Sequence, residues 1–228
     1  MSRSIFITAT GTDAGKTYVS ALIVKKLRES GLNAGYYKAA LSGAEYIDGK
    51  LIAGDAMQVC RISKLQAEAN SLVSYIYKTP VSPHLASQRE GNPVEIDKIK
   101  SDFAKHSVIF DFITVEGSGG IVCPLRLDDK KIMLADVIKE LNLDIIIVAL
   151  SSLGTINSTV LTAEFAKQNG INVKGIILNY YEKNNFLHID NKKQIEFLTK
   201  IPVIACISDN ALDIDIDLEV LVNLYKGI

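Results

Sequence analysis

Cysteine and proline are sparse, with 3 and 5 residues respectively in a chain of 228. Cys60, Cys123 and Cys206 lie far apart and form no CxxC pair. Neither a disulfide framework nor a zinc site follows from such spacing, and all three read as buried or half-buried thiols. No stretch approaches the roughly 18 uninterrupted apolar residues of a membrane span, and the first seven residues lack the apolar centre of a signal peptide. A cytoplasmic protein with no membrane partner is therefore expected. Charge of one sign is not in excess either: 25 Lys and Arg stand against 26 Asp and Glu, a formal net charge of −1. That balance argues against nucleic acid as a partner bound through a basic face, yet it leaves room for a phosphate pocket built on one or two lysines. The histidines His84, His106 and His188 have no metal-ligand spacing and read as structural. No Ser-His-Asp or Cys-His pattern offers a nucleophile.

A hydrophobic content of 48% excludes a disordered chain, and the length suits one domain, residues 1–228. Linkers, repeats and low-complexity tracts are absent. Apolar β-branched runs predict strands at 4–8, 33–37, 108–115, 144–149, 173–178 and 202–205. Several are continuous, such as Ile145-Ile146-Ile147-Val148, as expected of a parallel sheet covered on both faces. After the first strand Val19, Leu22, Ile23 and Leu27 fall at helical spacing, and Ser30-Gly31 supplies a stop. Further helices are expected at 95–105, 135–141, 158–168, 192–200 and 218–225. The least regular stretch is 43–91, where a long connection can serve as a ligand loop.

The sharpest local feature is Thr8-Ala9-Thr10-Gly11-Thr12-Asp13-Ala14-Gly15-Lys16-Thr17, set between the first strand and the first amphipathic helix. This is where a P-loop belongs. Backbone N–H groups at such a helix N-terminus point at a phosphate, the lysine reaches the terminal phosphates, and the following hydroxyl can bind magnesium. The strict spacing G-x4-G-K-[ST] is not met, because Thr10 stands where the first glycine would be. Context nonetheless favours nucleotide binding and an α/β, three-layer P-loop NTPase-like fold with a mostly parallel central sheet flanked by helices.

A magnesium–nucleotide site also needs carboxylates at the ends of neighbouring strands. Glu116 ends an apolar strand and precedes Gly117-Ser118-Gly119-Gly120, while Asp55 follows Gly54 at the expected start of a helix. Either could instead be a solvated acid or a helix cap. Lys38, taken as the close of the second strand, would sit at the ligand crevice of an open α/β sheet.

In order and spacing these pieces resemble the dethiobiotin synthetase family over nearly the whole chain. Its loop GTDTxxGKT, one residue longer than the strict P-loop, has its counterpart in Ala9-Thr10-Gly11-Thr12-Asp13-Ala14-Gly15-Lys16-Thr17, and its GYKPxxSG is similar to Gly35-Tyr36-Tyr37-Lys38-Ala39-Ala40-Leu41-Ser42-Gly43. Asp55-Ala56, Ser82-Pro83-His84, Val115-Glu116-Gly117-Ser118-Gly119-Gly120 and Leu153-Gly154-Thr155-Ile156-Asn157 are similar to four further family motifs. Ala9, Gly11 and Ala39 depart from the family's glycine, aspartate and proline, and Ile207-Ser208 stands where Ile-Pro is usual.

The resemblance implies ATP-dependent ring closure of 7,8-diaminononanoate with CO2 to dethiobiotin, ADP and phosphate, a step of biotin synthesis. It implies catalytic roles for Lys16, Lys38 and Thr12. Magnesium would be held by Thr17, Asp55 and Glu116, and the nucleotide by Asp13, Ala14, Gly15, Lys16, Thr17, Tyr18, Glu116 and Asn179. Substrate contacts would come from Ser42, Gly117, Ser118 and Gly119. It further implies a homodimer in which Gly154, Thr155, Ile156 and Asn157 receive the substrate's carboxylate tail across the interface. Phosphoryl transfer of this kind rests on positioning and charge rather than on strong bases. The main alternative is a ParA/MinD-like ATPase switch, which would carry a second lysine five positions before Lys16, where this chain has Gly11.

Overall fold

The computed structural model describes residues 2–227. β1 (Arg3–Ala9) leads through the glycine-containing loop into α1 (Lys16–Glu29), and β2 (Ala34–Ser42) runs on into a small hairpin of β3 (Glu45–Ile47) and β4 (Lys50–Ile52). Then come α2 (Gly54–Ser63), a 3-10 turn at Ala69–Leu72, β5 (Val73–Tyr77), α3 (Pro83–Glu90), α4 (Ile96–Ile109) and β6 (Phe112–Glu116). A second hairpin, β7 (Pro124–Leu127) and β8 (Lys131–Met133), precedes α5 (Leu134–Glu140), β9 (Ile145–Leu150) and α6 (Thr155–Gln168). The chain finishes with β10 (Val173–Asn179), α7 (Phe186–Thr199), β11 (Val203–Ile207), α8 (Leu218–Leu224) and β12 (Lys226–Gly227).

The main sheet has the order β11-β10-β9-β1-β6-β2-β5, with every neighbour along that path parallel. β12 pairs antiparallel with Arg3 and Ser4, beside the part of β1 that precedes its pairing with β9 at Phe6. The chain fills one side of β1 before β6 and the other side after it. The loop following β1 therefore lies at a topological switch point, where open α/β sheets bind ligands. Ile5, Phe6, Ile7 and Ile145 to Ala149 are fully buried, which explains why these strands read as unbroken apolar runs: helices cover both faces. No helix among the described residues is long and apolar enough to cross a membrane.

Several expected boundaries move. Val108 and Ile109 belong to the end of α4, where they are exposed, and not to the strand that follows; their β-branched character was outweighed by the helix that runs through them. β2 continues four residues past Lys38, so that lysine is in the middle of a strand rather than at its end. α7 begins at Phe186, capped by the Asn185 side chain accepting from Leu187 N–H at 3.1 Å, and α6 begins at Thr155. The irregular stretch 43–91 holds a sheet-edge strand, β5, and three helical segments.

Gly35 allows Phe110 to close over β2, since a Cβ there would run into the Phe110 ring. Gly35→Ala is expected to lower stability by about 1–3 kcal/mol through overpacking. Gly54→Ala, at the open start of α2, should change it by less than about 0.5 kcal/mol. Thermal unfolding of the two variants checks this, and equal melting temperatures would contradict the packing role of Gly35.

Candidate active site

A cleft of about 700 Å³ opens beyond the C-terminal ends of β1, β6, β2 and β10. Thr12, Asp13, Gly15, Lys16 and Thr17 line it from the loop and the first turn of α1. Asp13 and Gly15 take left-handed backbone, at φ 60° and 87°. Gly15 has a second constraint, because a Cβ there would collide with the Asn179 amide. Asn179, the last residue of β10, donates from Nδ2 to the Ala14 carbonyl at 3.1 Å and so fastens the loop to the sheet. Ala14 is buried behind this contact. Lys16 is buried too, with its ammonium donating to the Gly11 carbonyl at 3.2 Å. Burial, and then the positive charge of Lys38, lower the pKa of Lys16, while Glu116 and Asp55 act in the opposite sense.

Strand register delivers the second lysine. Lys38 of β2 lies directly opposite Glu116 of β6, and α2 brings Asp55 to the same point. The Lys38 ammonium donates to Glu116 Oε1 and to Asp55 Oδ2, each at 2.6 Å. Burial alone would lower its pKa, but the two carboxylates outweigh burial and raise it. Thr17 Oγ1 donates to the same Glu116 oxygen at 2.9 Å, and Tyr36 Oη donates to Oε2 at 3.0 Å. Tyr36 is wholly buried; desolvation first, then the negative charge of Glu116, push its pKa well up. Asp55 occupies the first turn of α2 without capping it, since the N-cap position is Ala53.

Ser42, Ser118 and Gly119 line the same cleft, with Leu41 and Gln58 beside them. Ser118 is fixed by donating to the Ala40 carbonyl. Gly117 is not among the lining residues: a Cβ there would press on Leu134 at 2.8 Å and Phe6 at 2.9 Å, so its smallness serves packing. Gly154, Thr155, Ile156 and Asn157 form the start of α6 and also lie outside the cleft lining. His84 bonds Ser82 Oγ at 2.9 Å, His106 is buried between Tyr37 and Phe110, and His188 accepts from Glu182 N–H at 3.0 Å. Cys60 and Cys206 are half-buried free thiols. Burial pushes the Cys123 thiol up to about 11 despite Lys16 and Lys38 nearby, so it is protonated near neutrality.

Of the loops after β10 and β11, sequence reasoning named only Ser208, as a departure from the family's Ile-Pro, and missed its neighbours. Tyr180, Ser208, Asp209 and Asn210 line the same cleft, on loops after β10 and β11. The Ser-Asp-Asn run after an apolar strand was a turn signal, and Asn210 has φ 55°. Three side chains of α1 hold this wall: Tyr18 Oη donates to the Ala211 carbonyl, Lys25 to Leu212 at 3.0 Å and Lys26 to Ile214 at 3.1 Å. Tyr18 therefore acts as a clasp as well as a lining residue. Tyr18→Phe should weaken ADP binding about fivefold in calorimetry, the worth of one neutral hydrogen bond. Unchanged affinity would contradict the clasp.

A family model described as an AAA domain matches residues 3–212. Curated relatives named ATP-dependent dethiobiotin synthetase BioD share the full length. The protein of Clostridium botulinum strain Eklund 17B is 51% identical and that of strain Alaska E43 is 52% identical, each over 100% of both chains. Among solved structures, the septum site-determining protein MinD of Pyrococcus horikoshii OT3, complexed with Mg-ADP, aligns at 19% identity with a TM-score of 0.57. It covers 92% of this chain and 82% of its own. A ParA family ATPase of Chlorobium tepidum TLS gives 16% identity and a TM-score of 0.55, over 92% and 84%. At such identities the likeness concerns the fold alone, that of P-loop NTPases.

Proposed function

The chain belongs to the family of ATP-dependent dethiobiotin synthetases, and from that membership we propose roles for its residues. It is an ATP-dependent cyclo-ligase that forms dethiobiotin in biotin biosynthesis. One amine of 7,8-diaminononanoate attacks CO2 and loses a proton, giving a carbamate. A carbamate oxygen then attacks the γ-phosphorus of ATP as the bond to ADP breaks. The second amine attacks the carbonyl carbon of the mixed anhydride, closing the ureido ring and expelling phosphate.

The observation that carries the assignment of roles is the convergence of Lys16, Lys38, Asp55 and Glu116 on one cleft beside the phosphate loop. Lys16 and the N–H groups of Asp13, Ala14 and Gly15 hold the β- and γ-phosphates at the N-terminus of α1. Lys38, in the middle of β2 and beside Glu116 and Asp55, balances the carbamate and the transferring phosphoryl group, with Thr12 and Ser42 orienting the diamine end. Ser118 and Gly119 extend that surface. Asn179 holds the loop through Ala14 and keeps its Oδ1 for the nucleotide base.

Magnesium fits the residues present. Thr17 hydroxyl and the Glu116 and Asp55 carboxylates are hard oxygen donors; the two carboxylates already converge on a positive charge, the Lys38 ammonium, and Thr17 donates to Glu116 beside it. When bound with ATP, Mg2+ supplies charge neutralisation at the β- and γ-phosphates. The whole chain, residues 1–228, is read as one domain acting in the cytoplasm as a homodimer, without nucleic-acid or membrane partners. The α6 start at Gly154, Thr155, Ile156 and Asn157 is outside the cleft lining and follows the exposed Leu153, which suits a carboxylate site facing a second copy.

Incubation with ATP, Mg2+, bicarbonate and the diamine, with dethiobiotin read by mass, tests the roles. Lys16→Gln and Lys38→Gln are each expected to cost about a hundredfold or more in product formation while the protein remains folded by circular dichroism. Near-normal formation by either would contradict the assignment. For the dimer, coexpressing Lys38→Gln with Asn157→Ala should restore activity that neither variant has alone, because one site of the mixed dimer is then native. Failure to restore it would contradict sharing of the site.

A further inference from the structure

Tyr36 and Lys38 are two residues apart on β2, so their side chains leave the same face of the strand. The Tyr36 hydroxyl reaches the carboxylate of Glu116 on β6, the residue paired with Lys38. Its contact at 3.0 Å is to Oε2, whereas Thr17 at 2.9 Å and Lys38 at 2.6 Å both take Oε1. Among the described residues the phenol is the sole hydrogen-bond partner of Oε2. Glu116 is 1% exposed, leaving water little access to that oxygen. A carboxylate held at one oxygen can still turn about its terminal torsion, which is broad for an sp³–sp² bond. Held at both, its plane is fixed.

We propose that Tyr36 is a positioning residue for metal-linked nucleotide binding: its hydroxyl sets the plane of the Glu116 carboxylate so that Oε1 stays beside Thr17 at the phosphate end of the cleft. The proposal rests on the reading of Thr17, Asp55 and Glu116 as the magnesium ligands. It assigns Tyr36 no contact with substrate or phosphate, and Tyr36 is absent from the residues that line the cleft.

The neighbouring Tyr37 provides an internal control. It is equally buried but leaves the opposite face of β2, where its hydroxyl meets Ser74 Oγ at 2.7 Å and the Ile99 carbonyl at 3.1 Å. Tyr→Phe at either position removes the same atom from a buried site.

ADP affinity measured by calorimetry with and without Mg2+, together with melting temperature, separates positioning from plain stability. Wild type should bind ADP more tightly with Mg2+. Tyr36→Phe should lose about tenfold of that enhancement, as for a hydrogen bond to a charged group, with Mg2+-free affinity unchanged. Tyr37→Phe should keep the full enhancement while melting at a lower temperature. Full enhancement in Tyr36→Phe, or equal loss in both variants, would overturn the proposal with the metal reading left standing. No enhancement in wild type would overturn the metal reading, and the proposal with it.

Discussion

The ion pair of Lys38 and Glu116 is the constraint on which the site depends. Both side chains are almost wholly removed from water, and removing two charges from water costs several kcal/mol per ion unless geometry and hydrogen bonding offset it. Here the offset is visible. The ammonium has two carboxylate partners at 2.6 Å, and Glu116 takes Thr17 and Tyr36 as well, so neither oxygen is left unpaired. Such an arrangement is a poor source of net stability compared with an apolar core. Its value lies in concentrating charge where an anionic intermediate and two or three phosphates must meet, on a protein whose overall charge is close to zero.

The remaining geometry is tied to α1. Its first residue is Lys16, its buried stripe of Val19, Leu22, Ile23 and Leu27 locks it to the sheet, and its outer side chains Tyr18, Lys25 and Lys26 hold the carbonyls after β11. Phosphate end and opposite wall are thus referenced to one rigid element, which suits a reaction in which positioning supplies much of the rate. The loop itself is held from the second half of the sheet through Asn179, so its shape depends on a strand more than 160 residues away in sequence, with |i−j| of 165.

Much of this was legible in the residues. Continuous β-branched runs gave the central strands because burial on both faces removes the need for alternation, and Gly15-Lys16-Thr17 after such a run marked the loop. Glu116 stood out as the polar end of an apolar strand, whereas Asn179 came only through the family resemblance; each is the last residue of its strand. Lys38 was read as a strand end, and the alanines after it carry little β-propensity; pairing with β5 carries the strand on to Ser42 all the same. Val108 and Ile109 misled in the reverse direction, as β-branched residues at the exposed end of a helix. Gly117, expected beside the substrate, also has a packing role, since a Cβ there would press on Leu134 and Phe6. The wall at Ser208, Asp209 and Asn210 depended on long-range contacts to Tyr18, Lys25 and Lys26, for which local pattern holds no signal. Tyr36 was hidden within the motif that revealed Lys38, since only the register of β2 against β6 shows which tyrosine faces Glu116.

The central claim is that the burial of Glu116 depends on Lys38 beside it. The unfolding free energy of Lys38→Met, alone and combined with Glu116→Gln, tests this most directly. The single change should destabilise by about 3–5 kcal/mol, as when one partner of a buried pair is removed, and the second change should recover most of the loss. A Lys38→Met protein as stable as wild type, or a double variant no more stable than the single one, would contradict it.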